Sequence, residues 1–166
     1  MPKNTQDLDA THILAEDHRR VEALFAEFEG ASGLSRKEKI AGKICNELKI
    51  HTLLEEEIFY PALKGKIDDD LLKEAYVEHD GAKLLVNEIA EGSADEDFYD
   101  AKVTVLKEQI EHHVKEEEKE RDNMFQQARA ADIDLEELGR RMLVRKEELQ
   151  AQAENGTLPA ATPVTM

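Results

Sequence analysis

Residues 48–61 read Leu48-Lys49-Ile50-His51-Thr52-Leu53-Leu54-Glu55-Glu56-Glu57-Ile58-Phe59-Tyr60-Pro61. Extended to Ile44 on one side and Ala62 on the other, the stretch places Ile44, Leu48, His51, Glu55, Ile58 and Ala62 at three- and four-residue steps. That spacing predicts one face of an α-helix turned toward a core. The face is apolar except at its middle, where His51 and Glu55 stand one turn apart. A carboxylate buried in an apolar face is costly unless a cation or hydrogen bonds compensate.

The same pattern recurs three times. A segment from about Asp9 to Glu29 presents Leu14, His18, Val21, Phe25 and Phe28. One from about Asp69 to Glu91 presents Leu72, Tyr76, His79, Ala82, Val86 and Ile89, and one from about Asp95 to Arg129 presents Val103, Leu106, Ile110, His113, Glu117 and Met124. Each stripe has a histidine near its middle. Leu48-x-x-His51-x-x-x-Glu55 is repeated as Ile110-x-x-His113-x-x-x-Glu117, and Asp17-His18 as Glu78-His79. His18 and His51 are 33 residues apart, His79 and His113 34. A helix pair used twice would put two halves about a pseudo-two-fold axis, which suits a two-metal centre. With short loops between segments, the predicted fold is all-α, an up-down-up-down four-helix bundle over residues 1–130.

Local signals set the ends. Gly30, Gly65 and Gly92 stop helices, and Ser35 with Glu38, Ser93 with Glu96 and Asp134 with Glu137 have the spacing of capping boxes. A further amphipathic helix is expected over 131–154, with Leu135, Leu138, Met142 and Leu149 on one side, either covering the bundle or joining a partner chain as a homodimer contact. Residues 155–166 are small and polar with Pro159 and Pro163, and read as a disordered tail.

Composition narrows the function. A net charge of −16 would repel a polyanion, which argues against nucleic acid and anionic membrane as partners. Cys45 is the only cysteine, so an intrachain disulfide, an iron–sulfur cluster and a CxxCH haem attachment are excluded; it reads as a small core residue. No apolar run approaches a membrane span and Met1–Ala10 has no signal core, so the expected location is the cytoplasm.

The candidate ligands are therefore His18, His51, Glu55, His79, His113 and Glu117. Imidazole with carboxylate suits iron, manganese or zinc. Spacing alone is weak, because Glu makes up 25 of 166 residues and His12 with Glu16 or His112 with Glu116 also fit it. Position on the inward stripe separates the chosen set, and His112 is turned about 100° from His113.

Together, Asp17-His18, His51-x-x-x-Glu55-Glu56-Glu57-Ile58-Phe59-Tyr60-Pro61, Glu78-His79 and His112-His113-x-x-x-Glu117-Glu118 resemble the hemerythrin HHE cation-binding family over roughly Asp9 to Met124. The resemblance implies two iron ions, oxo- or hydroxo-bridged, with His18, His51, His79 and His113 as terminal ligands and Glu55 and Glu117 as bridges. It departs from oxygen-carrying members, which have a further histidine where Lys83 stands and an aspartate at position 118. It therefore implies positions open to small species such as O2, H2O2, NO or azide. The activity it implies is that of a di-iron oxidoreductase of catalase or peroxidase type, or of a non-enzymatic iron, oxygen or redox sensor or iron-handling module. A ferritin-like Glu-x-x-His motif does not occur. Tyr76, three residues before His79, reads either as a core aromatic or as a hydroxyl that orients a ligand.

Overall fold

All five helical segments expected from the spacing are helices in the computed structural model, which describes residues 9–166. The expectation for residues 1–8 lies outside the described residues. Helix α1 spans Ala10–Gly30. α2 spans Leu34–Leu54 and runs on through a π turn, Glu55–Phe59, into a last α turn, Tyr60–Leu63. α3 spans Asp69–Glu91, and α4 spans Tyr99–Val114 and passes into a second π turn, Lys115–Lys119. A short α5, Met124–Ala130, leads to α6, Leu135–Glu154. Helices α1 to α4 form the antiparallel bundle, and α6 lies across α1 and α2. Among the described residues no helix is long and apolar enough to cross a membrane.

The core is divided in two. One part is built on Leu14, Leu54, Phe59, Leu63 and Phe125, the other on Val21, Phe25, Ile44, Leu48, Val86 and Leu106. Between them lies a layer of buried polar side chains. Leu138, Met142 and Leu149 of α6 are buried in the first part, and each such side chain contributes about 1.5–3 kcal/mol. The apolar stripe of α6 therefore covers its own bundle. A homodimer through this helix would have to use its outer face, where Val144 is exposed.

Four local expectations are corrected. Ser35 and Glu38 form no capping box: Gly33 is the N-cap of α2, and Glu38 Oε1 instead accepts the Ala94 N–H at 2.9 Å. Glu96 does accept the Ser93 N–H at 2.7 Å, but this closes a turn, and α4 starts at Tyr99. The fourth segment is not continuous to Arg129. It breaks where Asp122 takes a positive φ of 56°, and Asn123 with Gln126 forms a reciprocal capping box at the N-terminus of α5.

The fourth correction is the largest. Residues 155–166, expected to be disordered, are tied to α3. Gly156, with φ 76°, ends α6, and the Thr157 N–H returns to Gln152 O at 2.8 Å. The segment beyond is then held by Asp80, Lys83 and Asn87, polar side chains on one side of α3 that supply the hydrogen bonds its own composition cannot.

Candidate metal centre

The polar layer brings together all six sequence-derived candidates. His18, His51, His79 and His113 come from α1 to α4 in turn, Glu55 from the π turn after α2 and Glu117 from that after α4, and all are buried. Two histidine pairs result. The Nε2 atoms of His18 and His51 are 3.2 Å apart, as are those of His79 and His113. Two imidazoles at right angles on one ion, each about 2.1 Å from it, would stand about 3 Å apart. Each glutamate reaches both pairs. Glu55 Oε1 lies 2.8 Å from His51 Nε2 and 3.2 Å from His79 Nε2. Glu117 Oε1 lies 3.2 Å from His18 Nε2 and 3.1 Å from His113 Nε2. Two buried triads with the spacing of metal ligands follow: His18, His51 and Glu117, and Glu55, His79 and His113.

The outward ring nitrogens meet carboxylates the sequence reading had passed over. His51 Nδ1 is 3.1 Å from Asp17 Oδ2, His79 Nδ1 2.7 Å from Glu56 Oε2, and His113 Nδ1 2.8 Å from Glu78 Oε1. His18 Nδ1 lies 3.5 Å from Glu118 Oε2. Each of these acids is the chain neighbour of one ligand and serves a histidine on another helix. The pattern obeys the pseudo-two-fold axis. A carboxylate at Nδ1 fixes the proton there and turns the Nε2 lone pair inward. Cations hold the acids in turn: Arg20 and Lys146 on Asp17, Lys83 on Glu56, Arg19 on Glu118.

The metal-free site carries protons in place of cations. Burial opposes charge on His51, but the Glu55 and Asp17 carboxylates push it up to about 10. Burial likewise opposes charge on His113, and Glu117, Glu55 and Glu78 raise it well above the usual imidazole range. Burial works to raise Glu55, yet His51, Glu117 and His113 hold it well below the usual carboxylate range.

Tyr60 is the residue sequence reasoning missed. Its hydroxyl donates to Glu117 Oε2 at 3.0 Å and lies 3.1 Å from His79 Nε2 and 3.3 Å from His113 Nε2. Burial, then Glu117 and Glu55, push its pKa up and keep the phenol protonated. Tyr60 is five residues after Glu55, which a 3.6-residue period turns off the inner face. The i→i+5 bond of the π turn, Tyr60 N–H to Glu55 O, stacks the two. The same extra residue moves Leu63, not Ala62, into the core. Of the two readings of Tyr76, its contacts match the packing aromatic: half-buried, it sits edge-on against the Tyr60 ring at 5.1 Å between centroids, and among the described residues its hydroxyl has no hydrogen bond to a member of the site.

Matching by family brings an independent observation. The model of the hemerythrin HHE cation-binding domain matches residues 9–121. The chain belongs to this family. A crystal structure of a hemerythrin HHE cation-binding domain-containing protein from Mycobacterium kansasii superposes with a TM-score of 0.76 at 25% identity, covering 92% of this chain and 96% of that one. A DNA nickase of Nostoc sp. (strain PCC 7120) is 26% identical over 113 residues, 68% of this chain and 32% of the nickase. The chain thus spans about a third of that relative's length.

The residues present fit the cation of an HHE domain. Both oxygens of Glu55 and Oε1 of Glu117 are buried without a hydrogen-bond partner. Oε1 of each glutamate stands 2.8–3.2 Å from an imidazole nitrogen of either pair, so oxygens and nitrogens surround common points. Orphaned buried carboxylate oxygens are costly, and a cation removes the cost.

A cavity adjoins the HHE site. About 20 Å3 of space open to a water-sized molecule touches all four ligand histidines and is bounded on the apolar side by Val21, Leu48, Ala82 and Val86. About 10–15 Å3 of such space holds one water, so the cavity has room for a diatomic or triatomic molecule.

Proposed function

We propose that the protein is a non-haem di-iron protein that binds or reacts with small oxygen or nitrogen species such as O2, peroxide or NO. The observation that carries this reading is the pair of symmetric triads beside a cavity sized for two or three heavy atoms. His18 and His51 would hold one iron, His79 and His113 the other, with Glu55 and Glu117 shared between them. Bound there, two irons would supply reversible redox change and positions that small molecules can exchange into. The protein's own part is positioning. Asp17, Glu56 and Glu78 orient imidazoles through Nδ1. Tyr60 donates its hydroxyl proton to Glu117 Oε2, oxygen to oxygen 3.0 Å. The Val21, Leu48 and Val86 side chains exclude bulk water.

Azide tests this reading. Added to the iron-loaded ferric protein, it is expected to enter the cavity and bring up a new charge-transfer absorption. A spectrum unchanged in large excess of azide would replace a reactive site with a structural or storage one.

A further inference from the structure

Where α2 meets α3 the cavity is lined by Lys49, Thr52, Lys83 and Val86, and Ala161 of the C-terminal segment lines it as well. Ala161 is not there by loose contact. Its N–H donates to Asn87 Oδ1 at 2.9 Å, and its carbonyl accepts from Asn87 Nδ2 at 2.8 Å, so one side chain pairs with both backbone groups as a neighbouring strand would. On the next residue, Thr162 O accepts from Lys83 Nζ at 2.9 Å. Further on, the N–H groups of Val164 and Thr165 converge on Asp80, at 2.9 and 2.6 Å to its carboxylate oxygens, with the Thr165 hydroxyl on the same carboxylate. Asp80, Lys83 and Asn87 stand at i, i+3 and i+7, on one side of α3, one and two turns beyond His79. The segment 159–164 also faces Leu53, Glu56 and Glu57 across a groove that Lys49, Thr52 and Lys83 line as well.

We propose that residues 159–165 are the cover of the entry to the metal-site cavity, and that Ala161, placed by Asn87, sets the size of what passes. The proposal rests on the di-iron reading for the identity of the ligand, and on the strap's geometry for everything else. The strap is the weakest-held part of that wall. It is fixed by hydrogen bonds to side chains and buries little apolar surface, so its opening costs less than separating α2 from α3. Lys83 is shared between the strap and Glu56, whose other oxygen meets His79. That links the cover to the site it closes. At its far end the cavity meets Gln109 and Ile110 of α4, the competing route.

The test uses the full chain, a chain ending at Leu158, and Asn87→Ala. Azide association with the ferric protein is followed by stopped-flow absorption. The shortened chain is expected to bind azide at least tenfold faster and Asn87→Ala several-fold faster, with the final spectrum unchanged because no ligand is altered. Hydrogen exchange at the Ala161 amide reports whether Asn87→Ala has freed the strap. Equal rates in all three proteins with that amide freed would overturn the proposal, as would a rate that responds to Gln109→Trp and not to strap removal. If azide alters none of the spectra, the di-iron reading fails. The cover is then judged by the rate at which metal-free protein takes up Co2+, expected to rise with the same order among the three chains; equal uptake rates would overturn it.

Discussion

Replacing Glu55 and His51 together with leucine is expected to reverse the sign of an ordinary core substitution: the metal-free variant should be at least as stable as the metal-free parent, while its ability to hold metal collapses. Glu55 is fully buried, and without metal its charge is balanced by the imidazoles of His51 and His113, themselves desolvated. Exchanging both members of such a buried pair for well-packed apolar side chains is commonly neutral or stabilising by about 1–4 kcal/mol, whereas removing one member alone costs about 3–5 kcal/mol because it strands the other. Glu55→Leu alone should therefore melt lower than the parent in chelator. With metal the double variant loses its advantage. Glu55 approaches one imidazole of each pair, so its loss removes a contact from both triads. Melting of parent and double variant in chelator, then in excess metal, should show the two curves exchanging order. A double variant that melts well below the parent in chelator, or that keeps the parent's metal-induced gain, would contradict the placement of this charge.

Chelation itself is the second large effect. Each ion at a thousandfold excess over its Kd contributes about 4 kcal/mol to the folded state. In a chain of this size 1 kcal/mol moves the melting temperature by about 2–4 °C. Stripping the protein is therefore expected to lower its melting temperature by roughly 10 °C or more. His51→Ala should abolish most of that difference, since His51 Nε2 faces both His18 and Glu55. His12→Ala should leave it intact, because His12 is exposed on the outer side of α1. A protein whose melting is indifferent to chelator, or equal losses from the two substitutions, would remove the distinction between inner and outer histidines.

Sequence periodicity revealed the ligands because the steps that lead to each of them obey it. Leu14 to His18 and Leu48 to His51 to Glu55 keep to the 3-4 step, and the same step in α4 leads from Ile110 to Glu117. Tyr60 was hidden because the π turn inserts a residue after Glu55 and re-phases everything beyond it. The carboxylates at Nδ1 were hidden for a different reason. Asp17, Glu56, Glu78 and Glu118 flank the inner stripe, and each serves a helix other than its own. Their signal was present as an acid beside four of the six ligands, repeated in both halves of the chain. Residues 155–166 were misread because their composition describes their own lack of apolar surface, while their order comes from Asp80, Lys83 and Asn87 on α3. Segments of that kind are legible only once the partner face is known.

Two metal ions per chain is the claim on which the rest depends, and metal content is its most direct measure. Protein loaded with iron, freed of excess by gel filtration and analysed for its elements should hold close to two irons per chain. The two triads, each with a pair of imidazoles 3.2 Å apart, offer one place for an ion apiece. A value near one would contradict the paired centre, and no metal above trace would leave the six buried side chains without the cation that their geometry calls for.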